Sequence, residues 1–133
     1  GTVEVPRLLS SEEHPGLQHL VSDVQGELLE DISWSQIFTA LSPPGSVSGA
    51  PKSSATQVIS ENEIARGPYC GALGWIQGDQ AVLSVAIRTF WKDTDINFGT
   101  GAGITWGSNA QAEWEETQLK AKRLISIAGG ELQ

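Results

Sequence analysis

Glu113 and Glu116 stand three residues apart, so a helix through them would aim both carboxylates at one point. Hard oxygen ligands of this kind suit Mg²⁺, which takes one or two carboxylates, keeps several waters and bridges to substrate oxygens. The plainer alternative is an acidic first helical turn, favoured by the macrodipole. Arg88 sits in Val85-Ala-Ile-Arg-Thr89, an otherwise apolar run. An unpaired guanidinium there would be costly, so it must meet an anion, either a structural carboxylate or a substrate carboxylate. Gly45-Ser-Val-Ser-Gly-Ala-Pro-Lys52 places glycines and serines ahead of a proline and a helix-competent run. Free amides at such a helix start, with Ser48 and Gly49 beside them, offer a seat for an anionic group; a Gly-Ser connector is the bland alternative. A phosphate-binding P-loop is excluded, because Pro51 precedes Lys52 and Pro43-Pro44 stand where a buried strand would be needed. His19 is a base or a satisfied core histidine, and Tyr69 serves packing or chemistry. Cys70 reads as a small buried apolar residue in a strand rather than a nucleophile.

The elements that must position these groups change character along the chain. Val3-Glu-Val5 alternates and predicts a short edge strand closed by Pro6. Residues Leu17 to Leu28 fit a helical stripe and a strand alternation equally. Ser33 and Gln36 form a capping box for a short helix turning Trp34, Ile37, Phe38 and Leu41 inward, ended by Pro43-Pro44. A second helix runs from Lys52 to about Ile64, capped by Ser48 or Gly49. Three strands follow, over Tyr69 to Ile76, Ala81 to Trp91 and Ile96 to Trp106, joined by short turns into an antiparallel meander. Glycines 99, 101 and 103 in the third suggest a bulge or a close backbone approach. Ser108 and Gln111 then cap a last helix that runs to about Ala128, where Gly129-Gly130 stop it. Its stripe is Ala110, Trp114, Thr117, Ala121, Leu124, Ile125 and Ala128; Glu113, Glu116 and Lys120 share a flank, and Glu115 points elsewhere.

Composition bounds the function. With 133 residues, 39% hydrophobic and 18% charged, one globular domain is expected. A formal net charge of −8 argues against nucleic acid or an anionic membrane as partner. It also means that an anionic substrate needs local help from a metal ion, an arginine or helix amides. A single cysteine excludes an internal disulfide and fits the reducing cytoplasm. The chain has no Met and begins Gly1-Thr2, which suggests a piece of a longer protein.

Taken together, Gln18-His-Leu-Val-Ser22, Gly45 to Lys52, Arg66-Gly-Pro-Tyr-Cys-Gly-Ala72, Val85 to Thr89, Gly101-Ala-Gly-Ile104 and Glu113-Trp-Glu-Glu-Thr117 resemble the C-terminal part of the chorismate-utilising enzymes. Nearly the whole chain is covered. Within that family, Gly67 to Trp75 and Phe98 to Ser108 are most similar to the aminodeoxychorismate synthase branch; the sisters are anthranilate, isochorismate and salicylate synthases.

The resemblance implies an α+β fold, an α/β sandwich of antiparallel sheet with flanking helices, of which residues 1–133 form a C-terminal fragment. It tips Gln18 to Gln25 toward strand. It implies Mg²⁺-dependent amination of chorismate to 4-amino-4-deoxychorismate on the way to folate, with anthranilate synthase component I as the alternative. Glu116 would be a direct metal ligand and Glu113 a direct or water-mediated one. Arg88 and Tyr69 would hold the enolpyruvyl carboxylate, with the Gly101-Ala102-Gly103 backbone against it. Ser48 and the amides around Gly49 would face the other end of the molecule, and His19 would stand by the ring as the catalytic candidate. Implied partners are chorismate, an ammonia-supplying glutaminase, and an upstream part carrying a further magnesium glutamate and the lysine segment that sets the reaction branch. A different class of function, a non-catalytic interaction module with an exposed half-core, is the rival expectation.

Overall fold

The computed structural model describes residues 1–14 and 17–129, and the chain divides into two units, Gly1–Ala40 and the remainder from Leu41. In the first unit, β1 (Glu4–His14) pairs antiparallel with β2 (Leu17–Gln25). The ambiguous stretch after Leu17 is therefore strand up to Gln25, because β1 supplies a partner for its alternation. The strand expected to stop at Pro6 instead runs through it. Register shifts between Glu4 and Arg7, and again between Arg7 and Ser10, absorb the proline where no ladder bond is required of it. Ser22 repairs the second irregularity: its Oγ accepts from the Leu9 amide at 2.9 Å, where Leu9 has φ 47°. Arg7 crosses the ribbon to Asp23, with Nε donating at 2.8 Å, and also binds Glu12. Helix α1 (Trp34–Leu41) starts at the expected capping box: the Ser33 amide donates to Gln36 Oε1 at 2.9 Å and the Gln36 amide to Ser33 Oγ at 3.3 Å. Trp34, Ile37 and Phe38 are half-buried as expected, but Leu41 is exposed.

The second unit opens on a helical turn rather than an open loop. Residues Gly45–Ser48 form α2, and α3 (Lys52–Asn62) follows with Pro51 at its N-cap and no side-chain cap, so neither Ser48 nor Gly49 caps it. Strands β3 (Ala72–Gln77) and β4 (Gln80–Val85) form a hairpin across the Gly78-Asp79 turn, in register from Ala72↔Val85 to Gln77↔Gln80. Strands β5 (Phe90–Lys92) and β6 (Ile96–Phe98) form a second, smaller one. The expected three-stranded meander is thus two separate hairpins. The cause is local. Ile87 N donates to Val85 O at 2.8 Å and Arg88 takes φ 53°, a tight reversal that no continuous strand accommodates. Arg88 accordingly lies outside the strand that was expected to contain it. Likewise the third expected strand ends at Phe98, and Gly99 onward leaves the ladder.

Helix α4 (Ala110–Ile127) is capped by Asn109, whose Oδ1 accepts from the Gln111 and Ala112 amides at 3.1 Å. The cap falls one residue later than expected because Ser108 Oγ is engaged by the Thr105 amide at 2.9 Å. Gly129, with φ 78°, ends the helix as expected; Gly130 lies outside the described residues. Among the described residues only Cys70, Ala86 and Ala121 are buried, all small side chains. The α4 stripe is covered in its middle, at Thr117, Ala121, Leu124 and Ile125, while Trp114 at its start is 56% exposed. Cys70 ends the β3–β4 pairing, its amide donating to Ala86 O at 2.9 Å. It occupies a turn with φ 65° rather than a strand, and it is buried as expected. No helix of the described residues is long and apolar enough to cross a membrane.

Candidate functional site

The second unit encloses a cleft of about 890 Å³, a size suited to one small ligand. Each wall comes from a different element, and each is shaped by a specific residue choice.

One wall is α2 with the start of α3, contributing Ser46, Ser48, Gly49 and Ser54. The amides that lead into α3 are engaged. Val47 N and Ser48 N donate to Pro44 O at 3.1 and 3.0 Å, and Gly49 N donates to Gly45 O at 2.9 Å. The chain closes a helical turn on itself, so α2 offers serine hydroxyls rather than main-chain donors, whereas the first turn of α3 has no side-chain cap. Gly49 is required: φ is 98°, and a Cβ would come within 2.9 Å of the Ala55 Cβ.

A second wall carries Glu63, Arg66 and Tyr69. Arg66 donates to both Glu63 oxygens, from Nε and from NH2, each at 2.7 Å, and its guanidinium carbon lies 5.7 Å from the Tyr69 ring centroid. The hydrogen bond from Arg66 holds the Glu63 carboxyl below its ordinary range. Burial pushes the Tyr69 phenol up to about 12, with Cys70 adding to the effect. Tyr69 is therefore a neutral O–H donor at any physiological pH.

Arg88 lines the cleft beside Ile87. It is exposed, and among the described residues no carboxylate pairs with it. Because Arg88 is exposed, the anion expected from its apolar run is not required; water meets its charge and the guanidinium is open to the cleft. A further wall is the segment after β6, Gly99 to Thr105, including Gly101, Ala102 and Gly103. A Cβ on Gly99 would overlap the Tyr69 ring, so the glycine lets the backbone lie against the aromatic face.

Helix α4 reaches the cleft through Lys120. Lys120 Nζ lies 2.5 Å from Glu116 Oε1, an i,i+4 pair, and 3.5 Å from Gly101 O. Glu115 bonds on another face, accepting from Gln111 Nε2 at 2.8 Å. Glu113 is half-buried in the first turn. Neither Glu113 nor Glu116 is among the lining residues, and the described residues hold no cluster of three or more His, Cys, Asp or Glu groups for a metal. Two carboxylates on one flank nevertheless match the donor chemistry of Mg²⁺, which completes its shell with water and substrate oxygens.

Seven sequence-predicted residues thus share one cleft: Ser48, Gly49, Tyr69, Arg88, Gly101, Ala102 and Gly103. His19 belongs to the first unit, half-buried on β2 opposite Glu12. The site list drawn from sequence lacked Lys120, Arg66, Glu63 and Thr100. Lys120 was legible as the i+4 partner of Glu116; Arg66 and Glu63 as an oppositely charged pair three apart. Thr100 gave no signal. Of the three cations lining the cleft, Arg66 is paired with Glu63 and Lys120 with Glu116, which among the described residues leaves Arg88 as the uncompensated charge that suits an anionic ligand.

The chain is 40% identical over 132 residues to anthranilate synthase component 1 of Saccharolobus solfataricus, covering 97% of this chain and 31% of that protein. It is 44% identical over 128 residues to anthranilate synthase component 1 of Geobacillus stearothermophilus, covering 94% and 25% respectively. The crystal structure of anthranilate synthase component I from Streptococcus pneumoniae superposes with a TM-score of 0.79 at 37% identity, over 92% of this chain and 29% of that one. The mixed helix and antiparallel-strand fold is therefore that of a portion of such an enzyme. This chain spans 31% or less of each of these relatives, and they bear the anthranilate synthase name rather than that of the aminodeoxychorismate branch. Residues 1–126 match the model of the chorismate binding enzymes, and the chain belongs to that family.

Proposed function

We propose that this chain is the C-terminal part of an anthranilate synthase component I, an enzyme that aminates chorismate with ammonia from a glutaminase partner. The observation that supports this is the cleft, lined together by Arg88, the neutral donor Tyr69 and the Gly99–Gly103 backbone, groups of the kind a small dicarboxylate would need. The named relatives support this branch over the aminodeoxychorismate branch.

Arg88 presents a planar fork to one carboxylate, which fixes the ligand's orientation as well as its charge. Tyr69 donates a hydrogen bond to the same group and stays protonated while doing so. Lys120 draws the Gly101 carbonyl and Glu116 together at the rim. Glu113 and Glu116 would hold Mg²⁺, which when bound supplies positive charge to the ring carboxylate. Ser48 faces the far end of the ligand. An upstream part of the same enzyme supplies the remaining walls, since this chain spans less than a third of the relatives named above.

Aminodeoxychorismate synthesis is the second reading, favoured by the segments Gly67 to Trp75 and Phe98 to Ser108. Product analysis separates the two. With chorismate, ammonium and Mg²⁺, the full-length protein should release anthranilate and pyruvate in equal amounts. Amination without pyruvate would move the protein to the second branch, and no consumption of chorismate would sink both.

A further inference from the structure

The segment that walls the cleft after β6 has lost its ladder. Among the described residues, no main-chain hydrogen bond holds any of Gly99 to Ile104. An unsupported glycine-rich stretch should sample many conformations, because glycine restricts φ least. Two contacts to α4 tether it instead. Thr100 Oγ1 donates to Thr117 O at 3.2 Å, a half-buried bond between residues 17 apart in sequence. One residue on, Gly101 O faces Lys120 Nζ at 3.5 Å, at the limit of hydrogen-bond reach. Thr117 and Lys120 lie three apart on α4, beside Ala121, whose side chain is fully buried. On its other side the segment presses on Tyr69: Gly99 has no room for a side chain there, and a Cβ on Gly101 would lie 3.2 Å from the Tyr69 hydroxyl.

We infer that Thr100 is a positioning residue, whose hydroxyl pins Gly99–Gly103 to α4 and so fixes the main chain beside Tyr69. The Lys120 contact is long and involves an exposed side chain already committed to Glu116, so it tethers weakly. The Thr100 bond is the shorter one, and it is anchored in the buried middle of the helix. Its consequence for substrate rests on the proposed function: a loosened wall lowers the fraction of molecules ready to bind and raises KM while the chemical step is spared.

The test uses full-length protein carrying Thr100→Val, which keeps shape and deletes the hydroxyl, and Thr100→Ser, which keeps the hydroxyl. Thr100→Ala stands in should the valine variant fail to fold. Amide hydrogen exchange over residues 99–104 should quicken about tenfold in Thr100→Val and stay near wild type in Thr100→Ser. The KM for chorismate should rise about fivefold in Thr100→Val with kcat within about twofold, and the serine variant should restore it. Wild-type exchange in Thr100→Val would overturn the tether. Faster exchange with an unchanged KM would overturn the positioning role. If the wild-type protein does not act on chorismate, the proposed function falls, and the exchange comparison alone decides the tether.

Discussion

Arg88 shows how a single residue can be chemically legible and structurally misplaced. Its type in an apolar run demanded an anion, and it does line the cleft, yet it does so from a φ 53° reversal and not from a strand. Because it has no carboxylate partner among the described residues, Arg88→Lys should reduce kcat/KM at least about tenfold without loss of folding, as a point charge cannot replace the bidentate fork. Near wild-type kcat/KM in a folded Arg88→Lys protein would remove Arg88 from the substrate. The two glutamates on α4 give a paired comparison. Glu116→Ala should lower Mg²⁺-dependent turnover about a hundredfold, whereas Glu115→Ala, on the face that bonds Gln111, should stay within about twofold. Equal losses at the two positions would refute the assignment of faces.

Among the elements, α4 depends on its cap more than on its stripe. Asn109 satisfies two first-turn amides, so Asn109→Ala should cost about 1 kcal/mol of stability by denaturant unfolding. Ser108→Ala, which loses only a turn contact with Thr105, should cost less. An equal loss from the two would return the cap to Ser108. The Glu63–Arg66 clamp carries a pH signature. Arg66 depresses the Glu63 carboxyl, so the folded state binds that proton less readily than the unfolded chain does. The clamp's contribution is therefore complete above the ordinary carboxylate range and fades as pH falls through the depressed value. Glu63→Gln should flatten this acid limb by lowering stability slightly above the ordinary carboxylate range while leaving strongly acidic stability unchanged, a small effect because the pair is partly exposed. An acid limb identical in the two proteins would show that the clamp contributes nothing.

At the scale of the whole chain, the apolar surface is the dominant fact. Among the described residues, Trp75 is 50% exposed, Trp114 56% and Trp106 fully so, against three small buried residues. Such a balance leaves little hydrophobic stabilisation to oppose chain entropy. Under the proposed function, the rest of the enzyme would cover a surface of this kind. This chain by itself should therefore bind an apolar dye strongly and neither turn over chorismate nor bind it tightly. Two glutamates give Mg²⁺ too few fixed ligands, and a −8 chain repels a dianion beyond the cleft. Calorimetry with chorismate and Mg²⁺ reads this directly. A micromolar, magnesium-dependent heat would mean that this portion holds a complete site.

Helices α1, α3 and α4 and the turns at Gly78-Asp79 and Asp93 to Asp95 were determined by the sequence alone, because capping and turn chemistry act over a few residues, and the seven cleft residues were named through the family resemblance. Family membership was likewise carried by short ordered motifs. What only the tertiary structure decided lies in longer-range terms. Whether Pro6 ends a strand depends on a partner that can shift register around it. Whether the Gly49 amide is free depends on the turn closing back to Gly45. The bond from Thr100 to Thr117 arises where segments distant in sequence are packed together. No spacing encodes such a meeting, because its free energy exists only once α4 and the glycine segment are side by side.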